Sequence, residues 1–140
     1  MGDITMRADA VLDSVAVGDA MHAGVLTCAG DAPLLQVAAT MAENGIHSVI
    51  VSDLNAAGPK WGVVSDLDLV SAAVGGAGAR TAREVAATPV VRVTSGDSLQ
   101  HAAQLMAEYQ TSHLVVVDTA GDEPVGIVST LDVAQALARE

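Results

Sequence analysis

Two serine–acid pairs stand at matching places in the chain, Ser65 with Asp68 and Ser129 with Asp132. Each closes a segment of the form Gly-h-h-Ser-x-Leu-Asp, where h is apolar. The copies are Gly62-Val63-Val64-Ser65-Asp66-Leu67-Asp68 and Gly126-Ile127-Val128-Ser129-Thr130-Leu131-Asp132, offset by 64 residues. A glycine inside a strand removes a side chain and lets another backbone or a ligand come close. The serine falls where strand gives way to helix. Unpaired N–H groups and the positive end of the helix dipole favour an anionic group there. The carboxylate one turn into the helix can accept hydrogen bonds from vicinal hydroxyls, the geometry a ribose offers. The same spacing is close to a capping box, in which the serine caps the helix and the acid reaches back. The two roles are compatible, because a cap can turn toward a ligand.

These segments belong to a longer repetition. Met41 recurs as Met106 and Asp53 as Asp118, each offset by 65 residues. A repeat of this length predicts two similar halves that fold against each other. In the first half, strands are expected at 25–28, 48–51 and 61–64. Leu34, Val37, Ala38 and Met41 mark one face of a helix that stops at Gly45, and Leu67, Val70 and Val74 mark another. In the second half, strands are expected at 90–93, 114–117 and 125–128. Leu99, Ala102, Ala103 and Met106 mark the first helix, and Leu131, Ala134 and Ala138 the last. Asn55, Gly58 and Pro59 read as loop. The small-residue run 75–79 reads as a linker, and residues 1–15 as an N-terminal tail, with repeats at 16–78 and 79–140. The fold class is α/β (α+β), with two βαββα repeats packed about a pseudo-two-fold axis.

Composition narrows the function. The chain has 140 residues, 51% hydrophobic but only 1% aromatic, so Ala, Val, Leu, Ile and Met must fill its core. Six basic residues against 17 acidic give a net charge of −11, which repels nucleic-acid backbones and anionic membrane surfaces. No apolar run reaches the ~20 residues of a membrane-spanning helix. With one cysteine, Cys28, and no signal-like N-terminus, a cytoplasmic location is expected. The four histidines lack close helical spacing, so no metal site is expected. No nucleophile-elbow sequence surrounds Ser65, so an enzyme is not expected either.

The repeated plan, the HSVIVSD and SHLVVVD strands and the paired Gly-h-h-Ser-x-x-Asp motifs resemble tandem CBS domains, the Bateman module, over residues 16 to 139. The resemblance implies a regulatory or sensor module that binds an adenosyl ligand (AMP, ADP, ATP, S-adenosylmethionine or NAD) in clefts between the repeats. It implies Asp68 and Asp132 as ribose-binding residues, with Ser65 and Ser129 near phosphate or ribose. His47 and Ser112 take matching positions near the phosphates, with His113 beside them. Lead-in segments are implied to cross over, so that Asp68 faces 81–90 and Asp132 faces 16–25. Thr81 then stands where some members contact the base, and Arg83 adds positive charge. Ala16 and Val17 hold the other lead-in, which makes the Asp68 site the richer of the two. A homodimer through the helices at 34–44, 66–74, 98–109 and 130–138 is expected, with an effector protein as further partner. The alternative is a ligand-free protein-interaction or structural module whose serines only cap helices.

Overall fold

The computed structural model describes residues 10–55, 60–75, 80–87, 91–120 and 123–139. Most of the expected tail (1–9) and linker (76–79) lies outside the described residues. So do Gly58 and Pro59 of the expected loop and Val90 of an expected strand. The chain forms two compact units. Unit 1 joins Met1–Val25 to Val90–Glu140, and unit 2 is Leu26–Pro89. Each unit therefore combines the strands and long helices of one repeat with the lead-in segment of the other.

Unit 2 carries a three-stranded sheet in the order β2 (Thr27–Cys28), β3 (Ser48–Val51), β4 (Gly62–Ser65). β2 runs parallel to β3, and β3 antiparallel to β4 with Ser48 opposite Ser65. Central β3 is an apolar, β-branched run whose Val49, Ile50 and Val51 are all buried, as a strand covered on both faces requires. Helix α2 (Leu34–Asn44) buries Leu34, Val37 and Met41 on one stripe. It stops at Gly45, whose φ of 61° favours a residue without Cβ penalty. Helix α3 (Asp66–Val74) follows β4 directly, and the short α4 (Ala82–Val85) comes from the second repeat's lead-in. Leu54, Val64, Ala72 and Ala82 complete this core. Trp61 is also buried.

Unit 1 repeats the plan with one more strand: β1 (His22–Ala23), β7 (Pro124–Ser129), β6 (His113–Val117), β5 (Arg92–Thr94). Helix α5 (Leu99–Tyr109) buries Leu99, Ala102 and Met106, the counterparts of the α2 stripe. Ser98 caps it by accepting the His101 N–H at 3.1 Å. Helix α6 (Thr130–Ala138) follows β7, and the single turn α1 (Val17–Ala20) belongs to the first repeat's lead-in. Met41 and Met106 are buried at equivalent places. The stretch read as the end of a tail is anchored here, with Leu12 in the core and the Val15 carbonyl accepting the Leu99 N–H at 2.8 Å.

Crossing of the lead-ins is visible in backbone pairing. Ala16 bridges to Ser98 in unit 1, and Thr81 bridges to Pro33 in unit 2. His22 pairs with Ile127 and Ala87 with Val63, again at equivalent positions.

Candidate functional site

Both motif glycines are explained by these lead-ins. A Cβ on Gly126 would stand 2.6 Å from the His22 carbonyl oxygen, and one on Gly62 would meet the Ala87 carbonyl oxygen at 3.2 Å and a Leu54 methyl at 2.9 Å. Of the two uses the sequence allowed for these glycines, the structure displays close approach of another backbone.

Where β4 ends, Ser65 Oγ accepts the Asp68 N–H at 3.2 Å, and Asp68 Oδ2 accepts the Ser65 N–H at 2.8 Å. Where β7 ends, Ser129 Oγ accepts the Asp132 N–H at 3.3 Å, and Asp132 Oδ2 accepts the Ser129 N–H at 2.7 Å and its hydroxyl at 3.1 Å. Both motifs are thus complete capping boxes. The cap uses Oδ2 in each.

The two acids differ in surroundings. Asp68 is half-buried. The Asp132 side chain is 1% exposed, and its Oδ1 has no hydrogen-bond donor among the described residues. His22 Nδ1 lies 3.4 Å from that oxygen, on a ring whose side chain is 70% exposed. This is ion-pair distance, beyond the range of a good N–H···O bond. An unsatisfied acceptor of this kind costs about 1–3 kcal/mol, so it marks a place where a donor is wanted. His22 carried no role in the sequence reading. The signal that finds it is the pairing of β1 with β7.

The remaining predicted residues fall into local pairs. Thr81 donates both its N–H and its hydroxyl to Glu84 Oε1, at 3.3 and 3.0 Å. Arg83 lies over Gly30 and reaches the Asp53 loop. Its Nε donates to the Leu54 carbonyl at 3.1 Å, Nη2 donates to the Asp53 carbonyl at 3.2 Å, and Asp53 Oδ2 is 3.7 Å away. His47 Nδ1 sits 2.9 Å from Asp66 Oδ2, beside the Ser65–Asp68 cap. Ser112 Oγ lies 2.7 Å from His113 Nδ1, and the Ser112 carbonyl accepts the Thr130 N–H at the head of α6.

A recess of about 450 Å³ beside Cys28 is lined by Thr27, Asp31, Pro33, Gln36 and Thr40, none of them a predicted site residue. Burial pushes the Cys28 thiol pKa up, and the Asp53 carboxylate adds to the rise. Among the described residues no group of three or more His, Cys, Asp or Glu side chains could hold a metal ion, and no helix is long and apolar enough to cross a membrane.

Comparison with known proteins matches this architecture. An uncharacterized protein of Methanopyrus kandleri is 29% identical over 125 residues, covering 87% of this chain and 62% of that one. The chain thus spans under two thirds of the length of this curated relative. The CBS domain pair of protein MJ0100, solved in complex with 5'-methylthioadenosine and S-adenosyl-L-methionine, has the same fold: TM-score 0.75 at 20% identity, covering 89% of this chain and 97% of that chain. A conserved uncharacterized protein of Pyrococcus horikoshii superposes with a TM-score of 0.77 at 18% identity, covering 91% and 95%. The family model for the CBS domain matches twice, over residues 17–75 and 82–139, and the chain belongs to the CBS domain family as a tandem pair.

Proposed function

We propose that this CBS pair is a non-catalytic regulatory module that binds an adenosyl ligand (AMP, ADP, ATP, S-adenosylmethionine or NAD) through ribose hydroxyls on Asp132 and Asp68. One observation carries the reading: the cap occupies Asp132 Oδ2 while Oδ1 stays buried without a donor. A ribose hydroxyl supplies that donor. Ser129 and Ser65 then lie beside the sugar at the positive ends of α6 and α3. The ligands bound by the MJ0100 pair, 5'-methylthioadenosine and S-adenosyl-L-methionine, are of this class.

The pair works in the cytoplasm and signals through a partner protein and a second copy of itself. Leu67, Val70 and Val74 on α3 and Leu131 on α6 are large apolar side chains left exposed, the kind of surface a helix-mediated homodimer covers. The same surface favours the alternative reading, an interaction module without ligand.

A thermal-shift panel separates the readings. At ~100-fold excess over Kd, a ligand that binds only the folded state stabilises it by ~2.7 kcal/mol, which raises Tm by several degrees. An unmoved melting curve with all five ligands at millimolar concentration favours the interaction module.

A further inference from the structure

We infer that His22 is a ligand-contacting residue of the Asp132 site, and that its presence makes this site fill before the Asp68 site. The inference rests on the adenosyl reading above and adds a residue and an order of filling. Pairing of His22 with Ile127 sets the histidine over the strand that leads into the Ser129–Asp132 cap. Its Nδ1 stands 3.4 Å from the one buried side-chain oxygen among the described residues that lacks a donor, while most of the ring faces outward. Oδ1 itself is covered, so a hydroxyl reaches it as the exposed His22 ring turns aside, and it then arrives beside an imidazole nitrogen. The next hydroxyl of a vicinal diol can bond that nitrogen, as donor or acceptor according to the tautomer.

In unit 2 the equivalent of His22 is Ala87, which bridges Val63 as His22 pairs with Ile127. A methyl group can neither donate nor accept. The two groups that favoured the Asp68 site in the sequence are engaged elsewhere. The Thr81 hydroxyl is bound to Glu84, and the Arg83 guanidinium to the carbonyls of Leu54 and Asp53. A ligand at Asp68 must break or share those contacts, whereas a ligand at Asp132 displaces the long 3.4 Å contact to the exposed His22 ring and satisfies an atom already desolvated.

Calorimetric titration with AMP and with S-adenosylmethionine tests this on wild type and single variants. His22→Ala should weaken the tighter phase at least 10-fold, and His22→Gln, which keeps a side-chain donor, should restore most of it. Asp132→Asn should remove the tighter phase, while Asp68→Asn should remove the weaker one. Ala87→His should strengthen the weaker phase. 2'-Deoxy-AMP should lose more affinity for wild type than for His22→Ala, because only wild type reads both hydroxyls. Melting of His22→Ala should match wild type, since the ring is largely exposed. A His22→Ala titration indistinguishable from wild type, or loss of the tighter phase in Asp68→Asn, overturns the inference and leaves the adenosyl reading standing. Wild type that binds neither these two ligands nor ADP, ATP or NAD overturns the adenosyl reading and the inference with it.

Discussion

The two units share a backbone plan down to individual hydrogen bonds, and the serine that caps each acid, yet the lead-in side chains near their acids differ. Val17 donates to the Asp97 carbonyl at 2.8 Å in unit 1, and Ala82 to the Ala32 carbonyl at 2.9 Å in unit 2. Gly18 donates to Ser95 at 2.9 Å, and Arg83 to Gly30 at 2.8 Å. That last correspondence is instructive. In unit 2 the lead-in residue is a large arginine and its partner a glycine, over which the guanidinium lies. In unit 1 the lead-in residue is the glycine, and a Cβ there would come within 3.2 Å of Ser95 Cβ. The close approach of backbones is kept, and either partner can give up its side chain to permit it. Main-chain bonds carry the duplicated fold, so side chains such as His22 against Ala87 are free to make the sites unequal.

The strongest way to probe that equivalence is through the core. Leu34 and Leu99 are the largest fully buried side chains and start the matching helices α2 and α5. Leu34→Ala and Leu99→Ala should each cost ~2–5 kcal/mol in denaturant unfolding, and by similar amounts. A cost below 1 kcal/mol for either would mean that its helix is not packed as its counterpart is.

The helices and central strands were legible because their signals are local. Leu99, Ala102 and Met106 recur at helical spacing, and Leu114 to Val117 form an unbroken apolar run rich in valine. Boundaries moved by one or two residues where pairing rather than composition ends a strand, as at Thr27–Cys28 against the expected 25–28. The short elements α1, α4 and β1 escaped, because four or two residues show no periodicity. They are held by bonds to distant loops, such as Val17 to Asp97. Ser65, Asp68, Ser129 and Asp132 were visible through the repeat. His22 lies in the 16–25 segment expected to face Asp132, but only the β1–β7 pairing singles it out within that segment. Leu12 falls within the expected tail, and nothing in its neighbours' spacing reveals that it packs into the unit 1 core.

Smaller effects should distinguish the two motif glycines. Gly126→Ala sets a methyl against a backbone oxygen at 2.6 Å and should cost ~1–3 kcal/mol. Gly62→Ala first meets a Leu54 methyl at 2.9 Å, the end of a side chain that can turn aside, and should cost less. Matched thermal melts check the order, and an equal or reversed cost would mean that β1 does not press on β7 as closely as described.

Helix ends give a finer contrast. Gly45 closes α2 at φ 61°, and Gln110 closes α5 at φ 51°, the one described non-glycine with positive φ. A side chain in this region carries a steric penalty that glycine avoids, so Gln110→Gly should stabilise by ~0.5–1 kcal/mol and Gly45→Gln should destabilise by a similar amount. Chemical denaturation of the two variants reads both signs, and destabilisation by Gln110→Gly would contradict the reading.

The smallest expected effect concerns Cys28, which stands in β2 where unit 1 has Val93 in β5. Val93 is fully buried and Cys28 half-buried, so the thiol can be reached by a small reagent. Its pKa is raised first by desolvation and then by the Asp53 carboxylate, both of which disfavour the thiolate. Because the thiolate is the nucleophile, alkylation by iodoacetamide in the folded protein should be slower than for an unfolded control, and its rate should climb only at more alkaline pH. The linkage has a definite sign. A folded-state pKa above the unfolded one means that the native chain holds the thiol proton more tightly. The resulting stabilisation is fully present below the unfolded thiol pKa and is lost as pH rises through the folded one. Asp53→Asn keeps a carbonyl acceptor for the Gly30 N–H and removes the charge, so it should bring the alkylation profile part of the way back toward the control. Cys28→Val, which installs the unit 1 residue, should abolish alkylation and flatten the alkaline loss of stability. An alkylation profile in Asp53→Asn that superposes on wild type would mean that desolvation alone sets the thiol, and that the acid at the end of β3 has no hold on it.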